Sequence, residues 1–361
     1  MKKFRILVIH DGKPGHFSQS YGLARLIASR CTRCDCEISS LRAKPRLKLL
    51  NRLLRYAAAS QNAFLQKLIL LFYRHTPLPS EAIDLVISFG GNVVALNIAL
   101  SQYWRIPNVL VGSSYTIPES MISAHVSLKG DMGDSNAVAS RLVVCRTEPR
   151  RCHRAGRALR ANGQRLWAIF VGGDGSGYRY HDADWHRLGA ALQAMSAQYG
   201  VRWLVSTSRR TGRQGNAILR SYLDASVCAA SIWYEDESSE PLDAFIGAAS
   251  RLFCTEDSLS MLAESLAMAK PVISLRPTDS SPSKTHRDAL AYMVNMGLLL
   301  QLDFSALAQY RPHHYDPVKS YTAHLDEIFQ RFIALGAVAA TVQAQRTHYL
   351  NLNTAIQVPQ L

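Results

Sequence analysis

Apolar residues fall along this chain in two alternating rhythms. Short apolar runs read as buried strands, and stretches with apolar residues three and four apart read as amphipathic helices. Strands are predicted at Phe4–His10, Cys36–Leu41, Asp84–Phe89, Asn108–Val111 and Leu142–Cys145. Helical patterns lie between them at Gln19–Ser29, Leu47–Tyr56, Ala63–Tyr73 and Val93–Tyr103. A polar, Arg-rich segment from Thr147 to Arg165 interrupts the rhythm and reads as a domain boundary, part of it short helix. Strands then restart at Leu166–Val171, Trp203–Ser206, Ser231–Tyr234, Leu252–Cys254 and Val272–Leu275. Helices are expected at Trp185–Tyr199, Gly215–Asp224, Pro241–Ala249, Ser258–Ala269 and Arg287–Met296, with closing helices from Tyr321 to Gln345. Such alternation implies parallel sheets covered by helices on both faces. The expectation is an α/β chain with two Rossmann-like domains facing each other across a cleft. The domains are placed at 1–150 and 151–320, with 321–361 packing back on the first. Ligands in such sheets bind beyond the carboxyl ends of the strands.

The most informative of those strand ends is Thr255–Val272, where an apolar run leads into a helix capped by Ser258. Helix N-termini leave backbone N–H groups unpaired and carry partial positive charge, so the helix start at Ser258 suits a phosphate, with Glu256 and Ser260 beside it as further donor-side candidates. Glu264, less than two turns further on, is placed to accept hydrogen bonds from vicinal hydroxyls such as those of a ribose. The same stretch also fits an ordinary strand–helix turn with a solvated glutamate.

Four more loops follow strands. The first, Asp11 to His16, holds Gly12 and Gly15 beside His16, whose imidazole can act as a general base near neutral pH; Asp11 is the second candidate base. Gly90, Gly91 and Asn92 follow another strand on the same acceptor side. In the second half, Gly172, Gly173 and Ser176 can present N–H groups to an anion, although the spacing does not satisfy the dinucleotide fingerprint. Arg209 and Arg210, at the end of a strand, suit bidentate contact with a diphosphate. Lys284, His286 and Arg287 add a further cationic group to that rim.

With 361 residues, 48% of them hydrophobic, the chain can bury two cores. Seven scattered cysteines without a secretory leader suggest a reduced, cytoplasmic setting. Cys31, Cys34 and Cys36 cluster, but no second ligand pair follows at zinc spacing, so no metal site is expected. The net charge of +14 is uneven: residues 42–80 hold eight Lys or Arg and no acid. Arg46, Lys48, Arg52, Arg55 and Lys67 alternate there with apolar residues, a basic amphipathic surface suited to the anionic face of a membrane. Plain core packing and a nucleic-acid surface are the alternatives, and no nucleic-acid-binding motif supports the latter. No run is long enough to span a bilayer.

In their order, DGKPGHFSQSYGLA, GGDGSGY, STSRRTG and TEDSLSMLAESLAMAKPV resemble the Elm-type mitochondrial fission protein family. That family includes bacterial members classed as lipooligosaccharide outer-core glycosyltransferases. More distantly the layout is similar to GT-B glycosyltransferases such as the peptidoglycan enzyme MurG. The resemblance covers most of residues 4–300. It implies a GT-B-like fold, a nucleotide-sugar donor held by Glu264 with Ser258 and Ser260 near its phosphates, and His16 on the acceptor side. It also implies a metal-independent transfer needing no cofactor. The expected acceptor is a lipid-linked saccharide of the lipopolysaccharide core type, reached by a cytoplasmic enzyme docked on the inner leaflet. A nucleotide-sugar 2-epimerase and a non-catalytic, membrane-recruited adaptor of the fission type are the rival expectations. The chain departs from the family at Ala269, where glycine is usual, and in the strength of its basic 42–80 segment.

Overall fold

The computed structural model describes residues 3–338 apart from 32–33, 61, 128–134, 141, 143, 162, 237–241 and 314–315. The chain divides into two compact units. One comprises residues 1–126, 133–138 and 328–361, the other 127–132 and 139–327.

The first unit is built on seven strands: β1 (Lys3–His10), β2 (Asp35–Pro45), β3 (Tyr73–His75), β4 (Leu85–Phe89), β5 (Asn108–Val111), β6 (Ala124–Ser127) and β7 (Ala137–Ala139). They lie in the order β3-β2-β1-β4-β5-β6-β7, with β1, β2, β4, β5 and β6 parallel. Ile6 to Ile9 and Leu85 to Ile87 are fully buried, as expected of parallel strands covered on both faces. Helices α1 (Pro14–Arg30), α2 (Asn51–Ala59), α3 (Ala63–Leu71) and α4 (Val94–Trp104) supply that cover. The chain runs from β1 outward to β2 on one side and from β4 outward to β5 and β6 on the other. The topological switch point therefore falls between β1 and β4, where such sheets bind their ligands.

The second unit repeats the plan. It contains α5 (Pro149–Ala155), α6 (Arg157–Arg160), β8 (Arg165–Val171), β9 (Tyr178–Arg179), α7 (Asp182–Tyr199), β10 (Val201–Thr207), α8 (Gly212–Tyr222) and β11 (Cys228–Ile232). Then come α9 (Leu242–Ala248), β12 (Arg251–Thr255), α10 (Leu259–Leu266), β13 (Val272–Arg276), β14 (Asp279–Ser280), α11 (Lys284–Asn295), β15 (Leu300–Asp303) and α12 (Val318–Ala334). Its sheet order, β11-β10-β8-β12-β13-β15, puts the switch point between β8 and β12. An aromatic cluster of Trp167, Trp203, Phe253 and Tyr310 fills one face of that sheet. Two parallel Rossmann-like sheets in one chain are the GT-B-like fold class expected of the sequence.

Two boundaries differ from expectation. The expected division at residue 150 moves to about 139, because Leu142 and Cys152 pack with Leu166, Phe245 and Leu252 in the core of the second unit. The strand expected at 142–145 is absent among its described residues. The last turns of α12 count with the first unit, where the Arg331 guanidinium donates to the carbonyls of Ser135 and Ala137.

Helix α10 stops at Leu266, short of the expected Ala269, and the chain turns through Ala269 at φ +50°. A Cβ crowds the backbone in that left-handed region at a cost of about 1–2 kcal/mol. Ala269→Gly is therefore expected to stabilise the unit by about 1 kcal/mol, and calorimetry should read a rise in Tm of about 2–4 °C. An unchanged or lower Tm would show that the turn carries no strain.

Candidate functional site

In the first unit, the residues after β1 and β4 converge on one carboxylate. Asp11 is buried at the end of β1, and its Oδ1 accepts the Lys13 amide at 3.1 Å and lies 3.2 Å from His16 Nδ1. Its Oδ2 accepts from Asn92 Nδ2 at 3.2 Å, and Lys13 Nζ stands 3.7 Å away. Burial alone would raise the Asp11 pKa, but the Lys13 amide and the facing His16 and Lys13 outweigh it and hold the carboxyl below its usual range. Helix α1 starts earlier than the sequence pattern shows, with Pro14 and Gly15 in its first turn, so His16 is in the helix rather than capping it. The His16 ring stacks on Phe89 at 4.1 Å between centroids and 13° between planes, and a quarter of its side chain stays exposed. Burial, reinforced by Lys13, lowers its pKa although Asp11 opposes; the imidazole is neutral at neutral pH.

Gly12 turns the chain at φ +87°, beneath the Arg42 guanidinium. Gly90 and Gly91 lead to Asn92, whose side chain also accepts from Asn51 and whose carbonyl accepts from the Tyr73 hydroxyl. The expected acceptor-side residues are thus brought together, with Asp11 as the orienting anion and His16 as the exposed imidazole.

Arg55 joins this group, contrary to its expected place on a membrane face. Its guanidinium lies 4.4 Å over the Tyr115 ring, its Nε is buried, and the Tyr115 hydroxyl borders the same Gly91 that borders His16. The cause is helical phase: Arg55 adjoins the buried Leu54 and Ala58 side of α2, whereas Arg52 and Leu53 face outward. Arg46 and Arg52 are exposed; the side chains of Lys48 and Lys67 lie outside the described ones. Core packing accounts for Leu54, Ala58 and Ile69 but leaves Leu47, Leu49, Leu53, Tyr56, Phe64 and Leu71 between 50% and 93% exposed. No helix among the described residues is long and apolar enough to cross a membrane.

In the second unit three loops meet at the switch point. The Gly172 amide donates to Thr255 Oγ1 at 2.7 Å, and Thr211 Oγ1 donates to the Gly172 carbonyl at 2.5 Å. Asp257, buried, accepts from the Tyr180 hydroxyl at 2.9 Å, pairs with Arg210 Nη2 at 2.5 Å and takes the Gly173 N–H. A Cβ on Gly173, at φ +154°, would stand 2.0 Å from the Arg210 carbonyl oxygen, so only glycine fits. These contacts correct the expected anion nest. The N–H groups of Gly172 and Gly173 are already used, the first by Thr255 Oγ1 and the second by the Asp257 carboxylate. Arg210 is neutralised by the same carboxylate, whereas Arg209 and Ser176 remain exposed.

Asp257 is the principal residue the sequence reading missed. Its signal was available as an acid directly before a Ser N-cap at a strand end.

Glu256 is also corrected. Its carboxylate is fully buried and accepts from Tyr178, Ser274 and Gln301 at 3.2, 3.1 and 2.6 Å, a structural knot closed to a ligand. His286 donates Nε2–H to the Glu256 carbonyl at 2.9 Å, and burial lowers its pKa, so it supplies no positive charge to the rim. Lys284 and Arg287 open α11 behind the Ser283 cap; Arg287 donates to the Pro282 carbonyl.

Ser258 caps α10 as expected, accepting from the Met261 amide at 3.4 Å, and Ser260 is exposed in the first turn. Glu264 lies five residues beyond Leu259, about 7–8 Å along the axis. Burial pushes its carboxyl up to about 7, against the favourable charge of Arg146 and with the help of Asp243. No hydrogen bond contributes to that balance. The side chain is half-buried, and desolvation disfavours its ionised form unless hydrogen-bond donors reach it.

The sequence profile of the family described as mitochondrial fission ELM1 matches residues 14–332. The chain belongs to the mitochondrial fission ELM1 family. No curated protein matches it in sequence. Among solved structures, this ELM1-family chain is similar to the ADP-heptose lipopolysaccharide heptosyltransferase II of E. coli, with 14% identity, a TM-score of 0.43 and coverage of 91% of this chain and 99% of that one. It is similar to MurG of Acinetobacter baumannii, with 14% identity, a TM-score of 0.42 and coverage of 98% and 99%. It is also similar to a UDP-GlcNAc 2-epimerase of Neisseria meningitidis, with 10% identity, a TM-score of 0.41 and coverage of 98% and 99%.

Proposed function

We propose that this protein is a glycosyltransferase that moves a sugar from a nucleotide-sugar donor to a lipid-linked saccharide, working from the inner face of the cytoplasmic membrane. The observation that carries the reading is Glu264, a half-buried carboxylate whose pKa desolvation raises, on a helix whose capped start stands at the switch point of its sheet. A ribose diol supplies two hydrogen-bond donors to such a group. The N–H groups of the first turn of α10, with Arg209 and Ser260, receive the diphosphate, where charge develops as the glycosidic bond to phosphate breaks. On the acceptor side, Asp11 holds the His16 Nδ1 proton, leaving Nε2 to take the proton of the attacking hydroxyl. The acceptor oxygen bonds the anomeric carbon, the electron pair of the broken bond leaves on the diphosphate, and the proton ends on His16. Cations and helix ends balance the leaving charge in this scheme, so neither a metal nor a cofactor is assigned to the reaction.

The test is a nucleotide-sugar screen by thermal shift, followed by transfer of label from the stabilising donor into a lipid extract. Label in the lipid supports the reading. Conversion of the donor without acceptor would make the protein an epimerase. Vesicle binding without any nucleotide binding would make it an adaptor.

Lipid docking rests on the outward faces of α2 and α3 and the turn before them. Each large apolar side chain buried contributes roughly 1.5–3 kcal/mol, and each basic residue near an anionic leaflet about 1 kcal/mol. Leu49→Glu, Leu53→Glu and Phe64→Glu together are expected to weaken binding to phosphatidylserine-containing vesicles by at least about a hundredfold, read by co-sedimentation. Undiminished binding would assign the face another role.

A further inference from the structure

Three thiols stand together at the edge of the first unit, far along α1 from His16. Cys31 caps the C-terminus of α1, its amide donating to the carbonyls of Ala28 and Ile27. Cys34 lies directly before β2, and Cys36 lies on β2 opposite Phe4 of β1. The β1–α1–β2 crossover returns the helix end to the start of the neighbouring strand, and all three sulfurs come within 4.8 Å of one another. Cys34 Sγ and Cys36 Sγ are 3.8 Å apart. None of the three is fully buried, and none is in a disulfide.

Two sulfurs on one tetrahedral zinc, with Zn–S of about 2.3 Å, are about 3.8 Å apart. The observed edge already has that length. A disulfide between any two would leave the third thiol unpaired, whereas a metal ion uses all three. Thiolate sulfur selects soft d10 cations over magnesium or calcium, which prefer oxygen.

From this geometry we propose that Cys31, Cys34 and Cys36 bind one thiophilic d10 cation, zinc(II) or copper(I), which ties the end of α1 to the start of β2. The fourth position of a zinc ion there would be open to water, since no other His, Cys or carboxylate group among the described residues completes the cluster. Three thiol protons pass to solvent as the three metal–sulfur bonds form; no oxidant or reductant is needed. Because the unfolded chain has no such site, the bound ion stabilises the unit, and Tm should rise with metal concentration.

The experiment uses the full chain, reduced and stripped by a chelator without oxygen. It is titrated with zinc(II) against a chromophoric chelator and with copper(I) against a copper(I)-specific one; the two arms identify the ion. One equivalent per chain, release of about three protons and a rise in Tm are expected. The Cys31→Ser/Cys34→Ser/Cys36→Ser variant should lose all three, whereas Cys228→Ser should keep them. Cobalt(II) added to the wild-type protein gives a measurement independent of how the variant folds: strong near-ultraviolet sulfur-to-cobalt absorption supports thiolate ligation. Its absence, substoichiometric uptake of both ions, or full uptake by a folded triple variant would overturn the proposal.

Discussion

Replacing His16 by alanine is expected to lower the rate of sugar transfer by about 10²–10⁴ while leaving donor affinity within about twofold. The expectation rests on position and protonation together. The ring is fixed on two sides, by Phe89 stacked at 4.1 Å and by Asp11 Oδ1 at 3.2 Å, yet remains partly open to solvent. Asp11 is ionised and buried, so its partner nitrogen carries the proton and the other nitrogen is basic. The His16 pKa lies below the ordinary 6.5, chiefly through burial. The active, neutral form therefore persists further into acid than free imidazole would allow, and kcat should fall only below pH 6.5. Asp11→Asn keeps the shape but not the charge. It should reduce kcat less than loss of His16 does and shift the acid limb of the pH profile. The decisive measurement is kcat and donor Kd for each variant against pH. Loss of donor binding with unchanged kcat would remove His16 from the chemistry.

Which of these features could be read from the sequence depends on the distance over which each is determined. Ser258 as an N-cap and Glu264 on the following helix are local facts, set by side-chain type and helical spacing, and the structure reproduces them. Strand–helix alternation likewise depends on local periodicity and gives both parallel sheets. Pairing between distant loops is not local. The Gly172–Gly173 loop looked free to bind an anion because nothing nearby in sequence occupies it; its anion, Asp257, lies more than eighty residues away. Glu256 was misplaced for the same reason, since its donors Tyr178, Ser274 and Gln301 arrive from three separate elements. Arg55 illustrates a finer limit. A helix face two or three residues wide decides whether a cation meets lipid or an aromatic ring, and periodicity does not resolve that phase.

Glu264→Gln is expected to raise stability and lower donor affinity at the same pH, a combination that a structural carboxylate would not give. The folded-state pKa, about 7, lies above the ordinary 4.5 chiefly because burial desolvates the ionised group. The proton-bound form is thus the favoured one in the folded chain. Its contribution to stability is complete below about pH 4.5 and is lost as pH rises through about 7. Glutamine does not ionise, so the variant should match the wild type near pH 5 and exceed it near pH 8 by about 2 kcal/mol. Donor binding runs the opposite way. Hydrogen bonds from two hydroxyls to a carboxylate contribute about 1.5–3 kcal/mol each, and an uncharged amide recovers about half of that. Affinity for the nucleotide-sugar should fall about ten- to hundredfold in the variant at pH 8. Wild-type affinity should itself weaken as pH drops through 7, since binding then requires removal of a proton; the variant should show no such slope. Calorimetric titration of the screened donor at pH 6 and pH 8, with thermal melts of the same samples, measures both. Equal affinity in the two proteins, or a pH slope that survives the substitution, would place the ribose elsewhere and leave Glu264 a buried acid without a ligand.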